Sequence, residues 1–300
     1  SKYQALREAI GNWHGIDPSM ILPGNGAAEL LTWSARNAAE IGTSALITPG
    51  FSEYARALHC WNGDYICMRL PLCWSSETPQ AFPFTQTTKV LWINNPHNPT
   101  GQLWSRASIE PLIKKHELVI CDEAFLSLVP HGEKQSLIPL VINNPNLIII
   151  RSLTKLFAIA GLRLGYAISS SSRLKLWQKW RDPWPINNLA NTAGILLMND
   201  HIALNQWTKK IHHWISREGP WLQKNLGDIK GIISHPSSAN FQLIESKNSL
   251  IELNEMLKLK NILLRDCRSF DGLGENWLRI SLQTRRNNKR IVSEIKEILS

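Results

Sequence analysis

The chain has 300 residues, 43% hydrophobic and 19% charged, with no run approaching the ~18 apolar residues of a membrane span and no signal peptide read at its start. Its five cysteines are odd in number and lack a C-x-x-C pair, which argues against a disulfide framework or a zinc site and for reduced thiols in the cytoplasm. The net charge of +9 is scattered, is densest at Arg285, Arg286, Lys289 and Arg290, and accompanies no helix-turn-helix, zinc-finger or RNA-binding signature; it suits a small anionic substrate rather than nucleic acid.

Tyr3, Leu6, Ile10 and Trp13 recur at helical spacing, so the first element is an amphipathic helix. The turn Pro23-Gly24-Asn25-Gly26 then leads into a helix from Ala27 to about Ala39. A strand at 45–48, a break at Pro49-Gly50 and a helix from about Phe51 to Trp61 follow. The alternation continues with strands at 90–94 and 118–121 around a helix at 109–115, and with strands at 147–151 and 162–168. Continuous apolar strands separated by helices predict a parallel or mixed sheet covered on both faces.

Beyond Asn188 the pattern changes to a helix ending near Met198 and a long one from His201 to about Lys224. Strands at 232–234, 240–244, 262–264 and 277–282 follow, with Ser249 and Glu252 forming a capping box before a short helix and a last helix ending near Ile298. This predicts a large domain over 15–205 and a small α+β domain over 206–300, with 1–14 packing nearby.

Several short motifs carry chemistry. Gly24-Asn25-Gly26 opens a helix whose first N–H groups, at Ala27 and Ala28, can receive an anion, although such a turn alone is weak evidence. Asn94-Asn95-Pro96-His97-Asn98-Pro99-Thr100-Gly101 makes a stiff loop at a strand's carboxyl end, where open α/β sheets bind ligands. Asp122 ends another buried strand; it could cap a helix, or hold a ring nitrogen protonated. Ser152-Leu153-Thr154-Lys155 places a poorly solvated amine between apolar strands, with Arg163 eight residues on. S-x-x-K also occurs in serine hydrolases, so the ordered set matters more than any one motif.

Taken together, the set resembles the fold-type-I pyridoxal-phosphate enzymes of the class I/II aminotransferase superfamily. The resemblance implies a mostly parallel seven-stranded sheet in a large cofactor domain, a smaller α+β domain, a homodimer, and pyridoxal 5'-phosphate as cofactor with no metal. It implies that Lys155 carries the cofactor covalently, Asp122 pairs with its ring nitrogen and Asn98 bonds its ring oxygen. By the same resemblance Ser152, Arg163 and the backbone at Gly26, Ala27 and Ala28 hold the phosphate, Tyr54 stacks on the ring, and Arg265 and Arg279 bind substrate anions. Phe125 stands where histidinol-phosphate aminotransferases usually have a tyrosine. Around Asp122, Lys155, Pro183–Asn187 and Arg265 the sequence is more similar to the L-threonine-O-3-phosphate decarboxylases, in which Phe125 is the expected residue. That resemblance implies a small phosphorylated amino acid as substrate, with the aminotransferases as the alternative and a non-catalytic binding module on the same fold as a third reading.

Overall fold

The structure is a computed structural model that describes residues 3–85 and 87–300. It opens with α1 (Gln4–His14), β1 (Ile21–Asn25), α2 (Gly26–Ile41), β2 (Ser44–Thr48), α3 (Glu53–His59) and β3 (Tyr65–Arg69). Next come β4 (Val90–Asn94), α4 (Arg106–Ile113), β5 (Leu118–Asp122), β6 (Leu147–Ser152), the single-turn α5 (Leu153–Leu156), β7 (Leu164–Ile168) and α6 (Ser171–Trp180). After α7 (Asn188–Asn199) and α8 (His201–Gly227) the chain forms β8 (Ile232–Ser234), β9 (Phe241–Ser246), α9 (Ile251–Leu259), β10 (Arg265–Asp266), β11 (Trp277–Ser281) and α10 (Arg285–Leu299).

Seven strands form one sheet in the order β1-β7-β6-β5-β4-β2-β3, and four form a second, antiparallel sheet in the order β10-β11-β9-β8. Within the large sheet β3, β2, β4, β5 and β6 run parallel, while β7 is antiparallel to both β6 and β1. Along β5 the burial alternates between two cores: Val119 and Cys121 pack on one face, Leu118 and Ile120 on the other with Leu30, Leu31 and Ala35 of α2. Each buried Val, Leu or Ile contributes roughly 1.5–3 kcal/mol, which is why these strands read as unbroken apolar runs. Parallel register sets Asn94 level with Asp122, and Asp122 level with Ile150, so polar residues at three neighbouring strand ends converge on one edge.

The observed elements differ from the sequence expectations in a few places. Pro23-Gly24-Asn25 is not a free turn: it is the end of β1, paired with Leu164–Tyr166. β1 is an edge strand, the position in a sheet that tolerates a proline. β3 and α6 are additional elements, and β3 lies on the opposite edge, where Met68 alone of its five residues is buried. β10 begins at Arg265, one residue after the expected strand. The cap of α9 falls at Leu250 without a side-chain bond, and Ser249 Oγ instead accepts from the Ile251 N–H at 3.3 Å, so the expected capping box does not form. The basic cluster opens α10; there Arg285 pairs with the buried Glu218 at 2.8 Å and lies over Trp221, while Arg286, Lys289 and Arg290 are exposed. No helix among the described residues is long and apolar enough to cross a membrane.

Candidate active site

The carboxyl ends of β4, β5 and β6 open into a cavity of about 360 Å³, closed on its far side by the small sheet. Of the residues singled out in the sequence, Ala27, Ala28, Asn98, Asp122, Phe125, Ser152, Lys155, Arg163, Arg265 and Arg279 all line it.

On the large-sheet side Asp122 is buried and both its oxygens are engaged. Oδ1 accepts from the Ala124 N–H at 2.9 Å and Oδ2 from the Tyr54 hydroxyl at 2.7 Å. Burial raises its pKa, while the bonds from Tyr54 and Ala124 and the charge of Lys155 act the other way. Burial beside this carboxylate drives the Tyr54 pKa well up, so Tyr54 stays a donor. The Asp122 carbonyl is fixed in turn by the Asn94 amide at 3.0 Å and the Asn95 N–H at 2.9 Å, and Asn94 Oδ1 accepts from the Asn98 N–H at 2.7 Å. One strand-end asparagine thus positions both Asp122 and Asn98.

Lys155 sits on α5, directly after β6. Its amine lies 4.9 Å from the Phe125 ring centre, and partial burial, with Arg279 and Arg163 nearby, lowers its pKa against the opposing pull of Asp122. A larger fraction is therefore neutral than for a free lysine, the form needed for covalent chemistry. Beside it Ser152 and Thr154 share a hydroxyl bond of 2.6 Å. The first turn of α2 carries no side-chain cap, which leaves its N–H groups directed at the cavity, and Arg163 approaches the same point. Gly26 is required there: its φ is +71°, and a Cβ would sit 2.6 Å from Arg163 Nη2. Arg163 itself holds a left-handed backbone, φ 56°, costing on the order of 1 kcal/mol, of the kind found at ligand clamps.

On the small-sheet side Arg265 of β10 lies directly opposite Arg279 of β11. Arg279 donates from Nη1 to Asn98 Oδ1 at 2.5 Å, while its buried Nε has no partner among the described residues. Desolvation, with Arg265 beside it, lowers the Arg279 pKa from a value so high that it stays charged.

One expected residue takes a different place. Tyr54 does not face the cavity: its ring packs 5.3 Å from that of Trp92, behind Asp122. The aromatic of the same segment that lines the cavity is Phe51, edge-on to Tyr54 at 5.6 Å. Both lie after Pro49-Gly50, but Phe51 precedes α3 and Tyr54 stands in its first turn, so the two rings do not share a helix face and only Phe51 lines the cavity. Sequence reasoning also missed Thr154, whose only signal was a second hydroxyl two residues after Ser152, and Asn94. It missed a buried ion network as well: Arg151 bonds Glu123 at 2.8 Å and Glu133 at 2.7 Å, beneath the ends of β5 and β6.

The cavity fits pyridoxal phosphate on three counts. A lysine amine of lowered pKa stands within it; a buried carboxylate, raised by desolvation, forms no salt bridge among the described residues; and an uncapped helix start, two hydroxyls and an arginine converge at a glycine whose missing side chain leaves room for the Arg163 guanidinium. No cluster of potential metal ligands occurs among the described residues. Fold and site together define a fold-type-I pyridoxal-phosphate enzyme.

Comparison with known proteins places it further. Residues 1–295 match the aminotransferase class I and II family, and the chain belongs to that family. It is similar to the threonine-phosphate decarboxylase of Salmonella typhimurium, with 29% identity over 99% of this chain and 82% of that protein. It is also similar to the histidinol-phosphate aminotransferase of Brevibacillus brevis, 29% identical over 98% of this chain and 80% of that protein. The crystal structure of L-threonine-O-3-phosphate decarboxylase from Porphyromonas gingivalis superposes with a TM-score of 0.84 at 26% identity, covering 99% of this chain and 89% of that one.

Proposed function

We propose that the protein decarboxylates L-threonine O-3-phosphate to (R)-1-amino-2-propanol O-2-phosphate. The observation that carries this reading is the pair Arg265 and Arg279, set side by side across the cavity from Lys155. A phosphate ester bears close to two charges near neutral pH and suits two guanidinium groups. Similarity to the Salmonella and Porphyromonas enzymes, and Phe125 rather than tyrosine, support the same substrate.

Pyridoxal phosphate, when bound, supplies a conjugated ring that takes up the electron pair left at Cα. In this reading Lys155 would hold the cofactor, and Asp122 would keep its ring nitrogen protonated. Ser152, Thr154, Arg163 and the α2 amides would hold the cofactor phosphate, Asn98 would donate to its ring oxygen through the amide NH2, and Phe51 would cover the ring. The enzyme's choice of reaction would then be a choice of orientation: how the substrate is held decides which bond at Cα breaks. By anchoring the distant phosphate, Arg265 and Arg279 would use remote binding energy to leave the Cα–carboxylate bond as the one that breaks. The Cα–carboxylate bond breaks, carbon dioxide leaves, and a proton takes its place at Cα. Lys155 Nζ, with its lowered pKa, is a proton carrier in the same space.

The second reading is histidinol-phosphate aminotransfer, favoured by the Brevibacillus similarity and served by the same phosphate-binding pair. The experiment is to supply O-phospho-L-threonine without any 2-oxo-acid acceptor. The proposal requires sustained release of carbon dioxide and amino-propanol phosphate over many turnovers. A stop after one equivalent per site, with sustained exchange between histidinol phosphate and 2-oxoglutarate, would establish the aminotransferase. We further propose a homodimer, which would cover the exposed Leu189, Leu196 and Ile202 of α7 and α8; sedimentation velocity tests it.

A further inference from the structure

Two like charges directly opposite each other on an antiparallel pair are destabilising, yet β10 and β11 place Arg265 against Arg279. The nearest sequence neighbour that could neutralise them, Asp266, is occupied: its Oδ2 accepts from Arg268 at 2.9 and 2.6 Å. Neither Arg265 nor Arg279 forms a salt bridge among the described residues. What both do share is an aromatic face. The Phe270 ring centre lies 5.6 Å from the Arg265 guanidinium carbon and 5.9 Å from that of Arg279, whereas Phe241 lies under Arg279 alone, at 4.8 Å.

Phe270 is itself fixed. It is buried to 3% exposure among Leu243, Cys267 and Trp277, and its N–H bonds the Cys267 carbonyl at 2.9 Å. The residue before it, Ser269, accepts from Arg265 Nη2 at 2.8 Å, so one short turn holds both the ring and one of the cations above it. The ring also lines the cavity.

We propose that Phe270 is a specificity-determining residue, whose ring holds the two guanidinium groups side by side as one receptor for a doubly charged phosphate ester. The inference rests on the reading of Arg265 and Arg279 as substrate ligands given above. The negative ring face offsets part of the repulsion between the two cations and so keeps both turned to one spot. A carboxylate needs only one guanidinium; a phosphate dianion takes up both. Phe270 therefore sets the preference for the phosphorylated over the unphosphorylated amino acid, without bearing any charge itself.

The test uses the holoenzyme and the change in its visible cofactor band on titration with O-phospho-L-threonine and, separately, L-threonine. Phe270→Leu, with Phe270→Met as a second non-aromatic variant in case the first does not fold, should weaken O-phospho-L-threonine by about 5- to 30-fold and lower its preference over L-threonine by a similar factor. Phe270→Tyr should restore both, because it keeps the ring face. In an Arg265→Gln background the loss caused by Phe270→Leu should largely vanish, since the second cation is gone. Equal losses for the two ligands, or no difference between the tyrosine and the aliphatic variants, would reduce Phe270 to a packing residue. If Arg265→Gln and Arg279→Gln keep full affinity for O-phospho-L-threonine, the substrate reading itself fails. If they lose it while the aliphatic Phe270 variants do not, only the role of Phe270 falls.

Discussion

The two walls of the cavity are built on different principles. On the large-sheet wall, functional groups sit at the ends of buried parallel strands, and polar groups are locked by hydrogen bonds: both Asp122 oxygens, the Asp122 carbonyl, and the Asn98 N–H. Each such bond adds only about 0.5–1.5 kcal/mol, but leaving a buried one unmade costs about 1–3 kcal/mol, so the arrangement is rigid. On the small-sheet wall, a two-residue strand and a turn hold two cations with no salt bridge among the described residues, supported by aromatic faces and by bonds to Asn98 and Ser269. The first wall is finished before a ligand arrives; the second carries excess charge that an anion would relieve. In the proposed reading, chemistry common to the family belongs to the first wall, and choice of substrate to the second.

The contrast breaks most sharply at Asp122. Asp122→Asn keeps the shape of the side chain and removes its charge, so the ring nitrogen loses the partner that favours its protonated state. Turnover should fall by roughly 10³-fold, about 4 kcal/mol in the barrier, while borohydride still fixes the cofactor on Lys155 and substrate affinity changes little. A variant that turns over at near-normal rate would remove Asp122 from the chemistry.

Arg279→Ala should act the other way round. Charge-assisted hydrogen bonds contribute about 1.5–3 kcal/mol, so KM should rise roughly 10- to 100-fold, with cofactor affinity nearly unchanged. Steady-state kinetics with cofactor titration separates the two effects. A large loss of cofactor affinity would mean that Arg279 acts chiefly through Asn98, and the division between the walls would dissolve.

Much of the first wall was legible in the sequence because strand ends are legible. Apolar runs such as Leu118–Cys121 announce a buried strand, and the polar residue that follows must stand at its carboxyl end. The edges of the large sheet were not legible: β1 contains Pro-Gly-Asn and β3 is mostly unburied, and an edge strand, hydrogen-bonded on one side only, tolerates both. Phe51 and Tyr54 were both visible as aromatics, but which ring faces the cavity depends on the start of α3. The Arg151 network was hidden because its partners are distant in the chain: Glu123 is brought to it by the parallel pairing of β5 with β6, and Glu133 by the connection between those strands. Arg265 and Arg279 were found as separate candidates; that they face each other depends on the register of a strand two residues long.

The smallest expected effect concerns how the first wall is kept rigid, and it reads out in stability. His97 lies in the loop that carries Asn98 and is 1% exposed, with Nδ1 bonded to the Thr100 hydroxyl at 2.8 Å. Burial lowers its pKa to about 3. In the unfolded chain the ring titrates near ~6.5, so below that pH the unfolded state takes up a proton that the folded state refuses until about pH 3. Stability contributed by the neutral ring is therefore complete above the unfolded value and is lost progressively as pH falls between the two. Between pH 7 and pH 4.5 this one group should remove roughly 2–3 kcal/mol from the folded state. His97→Asn lowers stability at both pH values by deleting the ring, but it should lose less on acidification than the parent, by that amount. Urea unfolding of both proteins at the two pH values measures the difference directly. Parallel losses would mean that His97 is protonated in the folded loop, and that the stiffness of this wall rests on its prolines and on the Asn94 bonds instead.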